Sequence, residues 1–201
     1  MNRTVPRGAG RITNLALLVL SSVAGVTGAL AFGIDGDGVR WILIAHGIAG
    51  LAILAMGPWK SAIAARGIRR HRGRSAPSLV LAVLLILVIL TGLGHSTGLL
   101  VSVGFVTTMQ VHVGAAVSSL ALFGWHVLAR PVRPRRTDLS RRNALRLGLV
   151  GGAAAVGYGG IELVTHVAGL PGSDRRSSGS YERGSGVPSE MPVTQWLNDE
   201  V

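Results

Sequence analysis

Two histidines, His112 and His126, lie fourteen residues apart in one uncharged apolar stretch, Phe105 to Ala129. At about 100° per residue, fourteen steps close to within roughly 40° of whole turns, so both imidazoles fall on one helix face. At 1.5 Å per residue they stand about 21 Å apart along the axis. Ionisable side chains at membrane depth are costly and face the bundle interior, which makes each a candidate for chemistry. A neutral imidazole offers a metal its lone pair. His46 lies in another apolar stretch. Counted from the nearest span ends, His46 is about 8 Å deep and His112 about 12 Å deep, a difference that helix tilt absorbs. The matching depths predict His46 and His112 as the two axial ligands of one haem iron. Such a haem is low-spin, with no open position for oxygen, and suits electron transfer. The competing role for each is a hydrogen-bonded polar residue between helices.

His95 and His126 are further candidates. His95 falls near the end of the third apolar stretch, where contact with headgroups or a haem propionate competes with ligation. His126 lies towards the other membrane face. Fourteen residues after His46 the chain carries Lys60, not histidine, so an inner haem on His126, with His71 folding back as partner, is an alternative to a single haem b. Otherwise Trp125 and His126 form an interfacial anchor. Gly47 and Gly50 flank His46 on its C-terminal side and Gly114 follows His112; these glycines serve either close helix packing or room for a flat macrocycle. Glu162 and His166, four residues apart, share a helix face, which predicts an ion pair or hydrogen bond between them, a quinone-site proton carrier, or a group that supports a haem ligand from behind.

The elements that must position these residues are five apolar segments: Ile12 to Phe32, Trp41 to Ala65, Pro77 to Leu100, Phe105 to Ala129 and Ala144 to Leu170. Each is long enough for a hydrocarbon core roughly 30 Å thick. The expected fold is an all-α integral membrane protein of five transmembrane helices. Residues 1–130 form a haem-binding four-helix bundle, 131–143 a basic loop, and 144–170 a fifth, anchoring helix. Residues 171–201 are a polar, Gly- and Ser-rich tail, disordered or extended. The first segment follows Arg3, Arg7 and Arg11 but is too long for a cleaved signal peptide.

Charge orients the bundle. The chain has 201 residues and a formal net charge of +11. Sixteen of its twenty Lys and Arg residues flank the same side of a five-span alternation. The positive-inside rule therefore predicts a multi-pass protein of a bacterial cytoplasmic membrane, with its N-terminus cytoplasmic and its C-terminus extracytoplasmic. The same clustering makes the bilayer, not nucleic acid, the expected partner of the charge. The absence of cysteine excludes disulfides, thiolate metal sites and covalently attached c-type haem.

Two motifs carry resemblances. Ser140-Arg141-Arg142-Asn143-Ala144-Leu145-Arg146 resembles a twin-arginine export signal, with Arg146 in the usual lysine position and Ala144 where phenylalanine is usual; a plain topogenic charge cluster is the competing reading. Arg175-Arg176-Ser177-Ser178-Gly179-Ser180-Tyr181-Glu182 and Met191-Pro192-Val193-Thr194-Gln195-Trp196-Leu197-Asn198-Asp199 resemble the leader into a sulfite-oxidase-like molybdopterin domain. With the histidine pattern of the spans, which is similar to that of b-type cytochromes, the chain resembles the membrane portion of bacterial molybdopterin-dependent oxidoreductases. The resemblance implies electron exchange between quinone, or another redox partner, and an extracytoplasmic molybdopterin domain or subunit. The family's molybdenum-ligating cysteine has no counterpart here, so the molybdopterin belongs to a domain outside this sequence or to a partner, and no catalytic residue is assigned. A cofactor-free membrane anchor and a ferric-reductase-like transmembrane electron carrier are the alternatives.

Overall fold

The computed structural model describes residues 9–33, 38–70, 76–129 and 131–175. They form five long helices: α1 (Ala9–Gly33), α2 (Val39–Arg70), α3 (Ala76–Thr97), α4 (Thr108–Ala129) and α5 (Arg141–Val167). All five are long and apolar enough to cross a membrane. The helix ends differ from expectation where local chemistry intervenes. Gly98 stops α3 in a left-handed conformation (φ +73°), an ending that glycine adopts without steric cost. Phe105 to Thr107 are not helical. The α3–α4 connection instead makes a minimal antiparallel ladder, β1 (Ser102–Val103) against β2 (Val106–Thr107). Helix α5 begins at Arg141, so the arginine pair of the export-like motif forms its first turn. Residues 176–201, including most of the molybdopterin-leader resemblance, and His71 lie outside the described residues.

Helices α1 and α2 pack as one antiparallel hairpin, and α3 and α4 as a second. Helix α5 lies along α2, so it is a packed member of the assembly. The contact turns on Gly47, where a Cβ would come within 2.5 Å of Tyr158 Cε2. The interior is built from small residues: of eight buried apolar side chains among the described residues, Ala16, Ala49, Ala52, Ala115 and Ala154 are five. The large apolar residues point outward, Val19, Val26, Leu90, Val117, Leu149 and Val156 among them. Hydrocarbon tails are as apolar as leucine, so burying leucine gains nothing in a bilayer, and close backbone approach through small residues decides the packing.

The alternation of spans gathers the basic connections at one end. Arg11 of α1 donates from Nε to Asp138 Oδ1 at 3.0 Å and Oδ2 at 3.2 Å, and from Nη2 to Oδ1, tying α1 to the α4–α5 connection. This guanidinium, together with the Arg135 backbone N–H, holds the Asp138 carboxyl below the usual carboxylate range. At the opposite end a short 3-10 turn, Pro171–Asp174, docks on the end of α3. Gly172 there approaches Ser96 and Thr97 so closely that a Cβ would strike the Ser96 carbonyl oxygen.

The two hairpins repeat each other. Asn14, Ala24, Thr27 and Gly28 of α1 correspond to Ser78, Val88, Thr91 and Gly92 of α3, a shift of 64 residues. His46, Ala49, Trp59 and Lys60 of α2 correspond to His112, Ala115, Trp125 and His126 of α4, a shift of 66. The contacts follow the correspondence. Lys60 Nζ donates to Asn14 Oδ1 at 2.8 Å, and His126 Nδ1 lies 3.3 Å from Ser78 Oγ. Both hairpins run in the same direction, so the repeat is of the parallel kind, related about an axis along the helices.

Candidate functional site

Each hairpin holds one histidine in the same cradle. His46 Nδ1 is 3.0 Å from the carbonyl oxygen of Ala24 and 3.3 Å from Thr27 Oγ1. His112 Nδ1 is 2.8 Å from the carbonyl oxygen of Val88 and 3.4 Å from Thr91 Oγ1. Both threonine hydroxyls donate back along their own helix, Thr27 to Val23 and Thr91 to Leu87, each at 2.7 Å. The next residue is glycine in both cases. A Cβ on Gly28 would lie 3.0 Å from His46 Cε1, and one on Gly92 3.1 Å from His112 Cε1. The Thr-Gly pair thus opens a flat bay that admits an imidazole edge against a backbone carbonyl.

That contact assigns the proton. A carbonyl only accepts, so in each ring Nδ1 carries the hydrogen and Nε2 keeps its lone pair. A backbone carbonyl on the second nitrogen is the usual support of a metal-bound histidine. Hydrogen bonds between membrane helices average only about 0.6 kcal/mol, so the two contacts matter more for orienting the rings than for stability.

The hairpins bring the two rings together. Their centroids are 5.9 Å apart and their planes are inclined by 75°. Two imidazoles bound through Nε2 to one metal, at about 2.0–2.1 Å each, have centroids roughly 6 Å apart. Among the described residues no group of three or more His, Asp or Glu side chains forms a metal cluster. Two imidazoles fit a metal that arrives with its own equatorial ligands, as haem iron does.

The other candidates separate. His95 is in the last turn of α3, three residues beyond Gly92 and on the same side of the helix. His126 is at the basic end of α4, beside Ser78, and is not part of the pair. Gly50, one turn below His46, has open space where a Cβ would stand. Gly47 does not: its space is filled by the Tyr158 ring, because the next residue along a helix faces a different neighbour. Gly114 is two residues past His112 and therefore turned away from it; it is exposed. Glu162 does not pair with His166. It accepts from Arg175 Nη2 at 2.8 Å, since the chain leaving α5 folds back over its last turns, a tertiary contact that helix spacing alone does not contain.

Thr27, Gly28, Thr91 and Gly92 escape a search for metal-ligating residue types, since none of them is one. The signal that could have found them is the Thr-Gly dipeptide recurring in α1 and α3 at the shift of the repeat. No family model, curated protein or solved structure matches the chain.

Proposed function

We propose that this protein is a membrane haem b electron carrier, with His46 and His112 as axial ligands of a single haem. The observation that carries the reading is the pair of imidazoles 5.9 Å apart, each with Nδ1 on a backbone carbonyl of its own hairpin. Haem supplies reversible one-electron chemistry at its iron. The chain's part is to present two neutral Nε2 lone pairs, hold both rings against rotation, and surround them with apolar helices. With His46 and His112 both bound to it, such a haem would leave no position open for oxygen.

The pair lies towards the end opposite the basic connections, the end at which residues 171–175 leave α5. By the positive-inside rule that end is extracytoplasmic. We propose that the haem exchanges electrons there with a molybdopterin-dependent oxidoreductase domain or subunit, and with quinone or another redox partner in or near the bilayer. The export-like Ser140 to Arg146 motif, at the basic end, agrees with this orientation.

The test is a pyridine haemochrome assay on the purified wild type beside His46→Ala and His112→Ala. One haem per chain in the wild type and none in either variant is the expected result. A wild type without a Soret band, expressed with adequate haem supply, leaves the cofactor-free anchor as the surviving reading. Two haems per chain would favour the ferric-reductase-like one.

A further inference from the structure

We infer that the basic end holds an anionic phospholipid, its headgroup phosphate bound in the cavity between the start of α1 and the α4–α5 connection. The inference is independent of the haem reading above.

The cavity has a volume of about 470 Å³, within the range of sites that hold small ligands. Arg11 and Asn14 line it from α1, and Pro131, Val132, Arg133 and Arg135 line it from the connection. The connection follows directly on α4, which ends at Ala129. A span of that length ends at the polar headgroups, so the cavity stands at headgroup depth. By the positive-inside rule this is the cytoplasmic leaflet, where anionic lipids are drawn to basic pockets between membrane helices.

The polar atoms that the lining leaves available are donors. Arg133 and Arg135 are exposed, and neither guanidinium makes an ion pair among the described residues. Asn14 already accepts from Lys60 through Oδ1 at 2.8 Å, which leaves its amide N–H groups. The neighbouring carboxylate is taken. Asp138 accepts from Arg11 through both oxygens, and from the Arg135 backbone N–H through Oδ2 at 2.7 Å. Among the described residues no Asp or Glu lines the cavity, and residues 1–8, which precede α1, contain none.

This chemistry selects the headgroup. Guanidinium groups bind phosphate through paired N–H donors. A zwitterionic headgroup would bring an ammonium among guanidiniums with no carboxylate to receive it, whereas phosphatidylglycerol brings only negative charge. The cavity also lies between the two hairpins, since α1 belongs to the first and the connection leaves the second. A phosphate held by Asn14 on one side and by Arg133 and Arg135 on the other adds a second bridge beside Arg11 and Asp138.

The experiment counts bound lipid by native mass spectrometry of the full-length protein in a non-ionic detergent. Phosphatidylglycerol and phosphatidylcholine with the same acyl chains are titrated onto wild type, Arg133→Gln/Arg135→Gln and Arg136→Gln/Arg141→Gln. The last variant removes the same charge from the same end, at residues that do not line the cavity. Wild type should prefer phosphatidylglycerol, and the first double variant should bind it roughly ten- to thirty-fold more weakly. The second should stay within about threefold of wild type, because charges outside the site act through screening solvent. Equal binding of the two lipids by wild type would overturn the inference. So would equal affinity of the two double variants for phosphatidylglycerol, which would leave only a diffuse attraction to the basic end. Inorganic phosphate that displaces the lipid at equal concentration would also overturn it, leaving a site for a free anion.

Discussion

At the scale of single residues, the protein works by what it leaves out. Gly28 and Gly92 remove the one atom that would keep an imidazole from a carbonyl. The contact then keeps the hydrogen on Nδ1 and the lone pair on Nε2. A side chain at either glycine must push the ring, because ideal Cβ positions already stand 3.0 and 3.1 Å from the ring carbons, and a branched side chain has no way round. Gly92→Val should therefore disturb ligation while sparing the helix. The expected outcome is loss of the low-spin bis-imidazole electron paramagnetic resonance signal, with far-ultraviolet circular dichroism unchanged. An intact low-spin signal would show that the glycine bay does not position His112.

At the scale of elements, two hairpins and one added helix divide the labour. The hairpins repeat a few positions of each other, and each brings one histidine to the contact between them. Helix α5 has no counterpart in the repeat and joins through a knob of its own, Tyr158 seated on Gly47. The residue next to His46 thus belongs to packing. Gly47→Leu would force the Tyr158 ring away, since a Cβ there comes within 2.5 Å of one ring carbon and 2.7 Å of another. Overpacking of this kind costs about 1–3 kcal/mol. It should appear as a lower midpoint in thermal unfolding of the nanodisc-embedded protein, with the haem spectrum retained. Loss of the spectrum with no change in midpoint would assign Gly47 to the haem site.

At the scale of the whole molecule, polarity runs along the helices and apolarity runs around them. The belt facing lipid is leucine, valine and isoleucine, and the interior is largely alanine. One end is basic and is drawn together by Arg11 and Asp138. The other end carries the His46–His112 pair, His95 and the docked 171–175 segment. The orientation can be read directly because the chain has no cysteine. In spheroplasts, a membrane-impermeant maleimide should label Leu99→Cys at once and Pro134→Cys only after permeabilisation. The reverse pattern would place the ligand pair nearer the cytoplasm and exclude an extracytoplasmic electron partner.

Apolar run length and arginine position were enough to read five spans and the clustering of charge, because a bilayer imposes one local requirement on every stretch that crosses it. The cost of an ionisable group at membrane depth marked His46 and His112 as inward-facing, a local argument of the same kind. What periodicity cannot hold is a relation between helices. That His46 and His112 meet at 5.9 Å, that Gly47 serves Tyr158, and that Glu162 answers Arg175 are all decided by which helix lies beside which. The Thr-Gly cradle falls between the two cases. Its residues recur visibly along the chain, but their meaning is a ring from another helix, and only the folded hairpin puts that ring there.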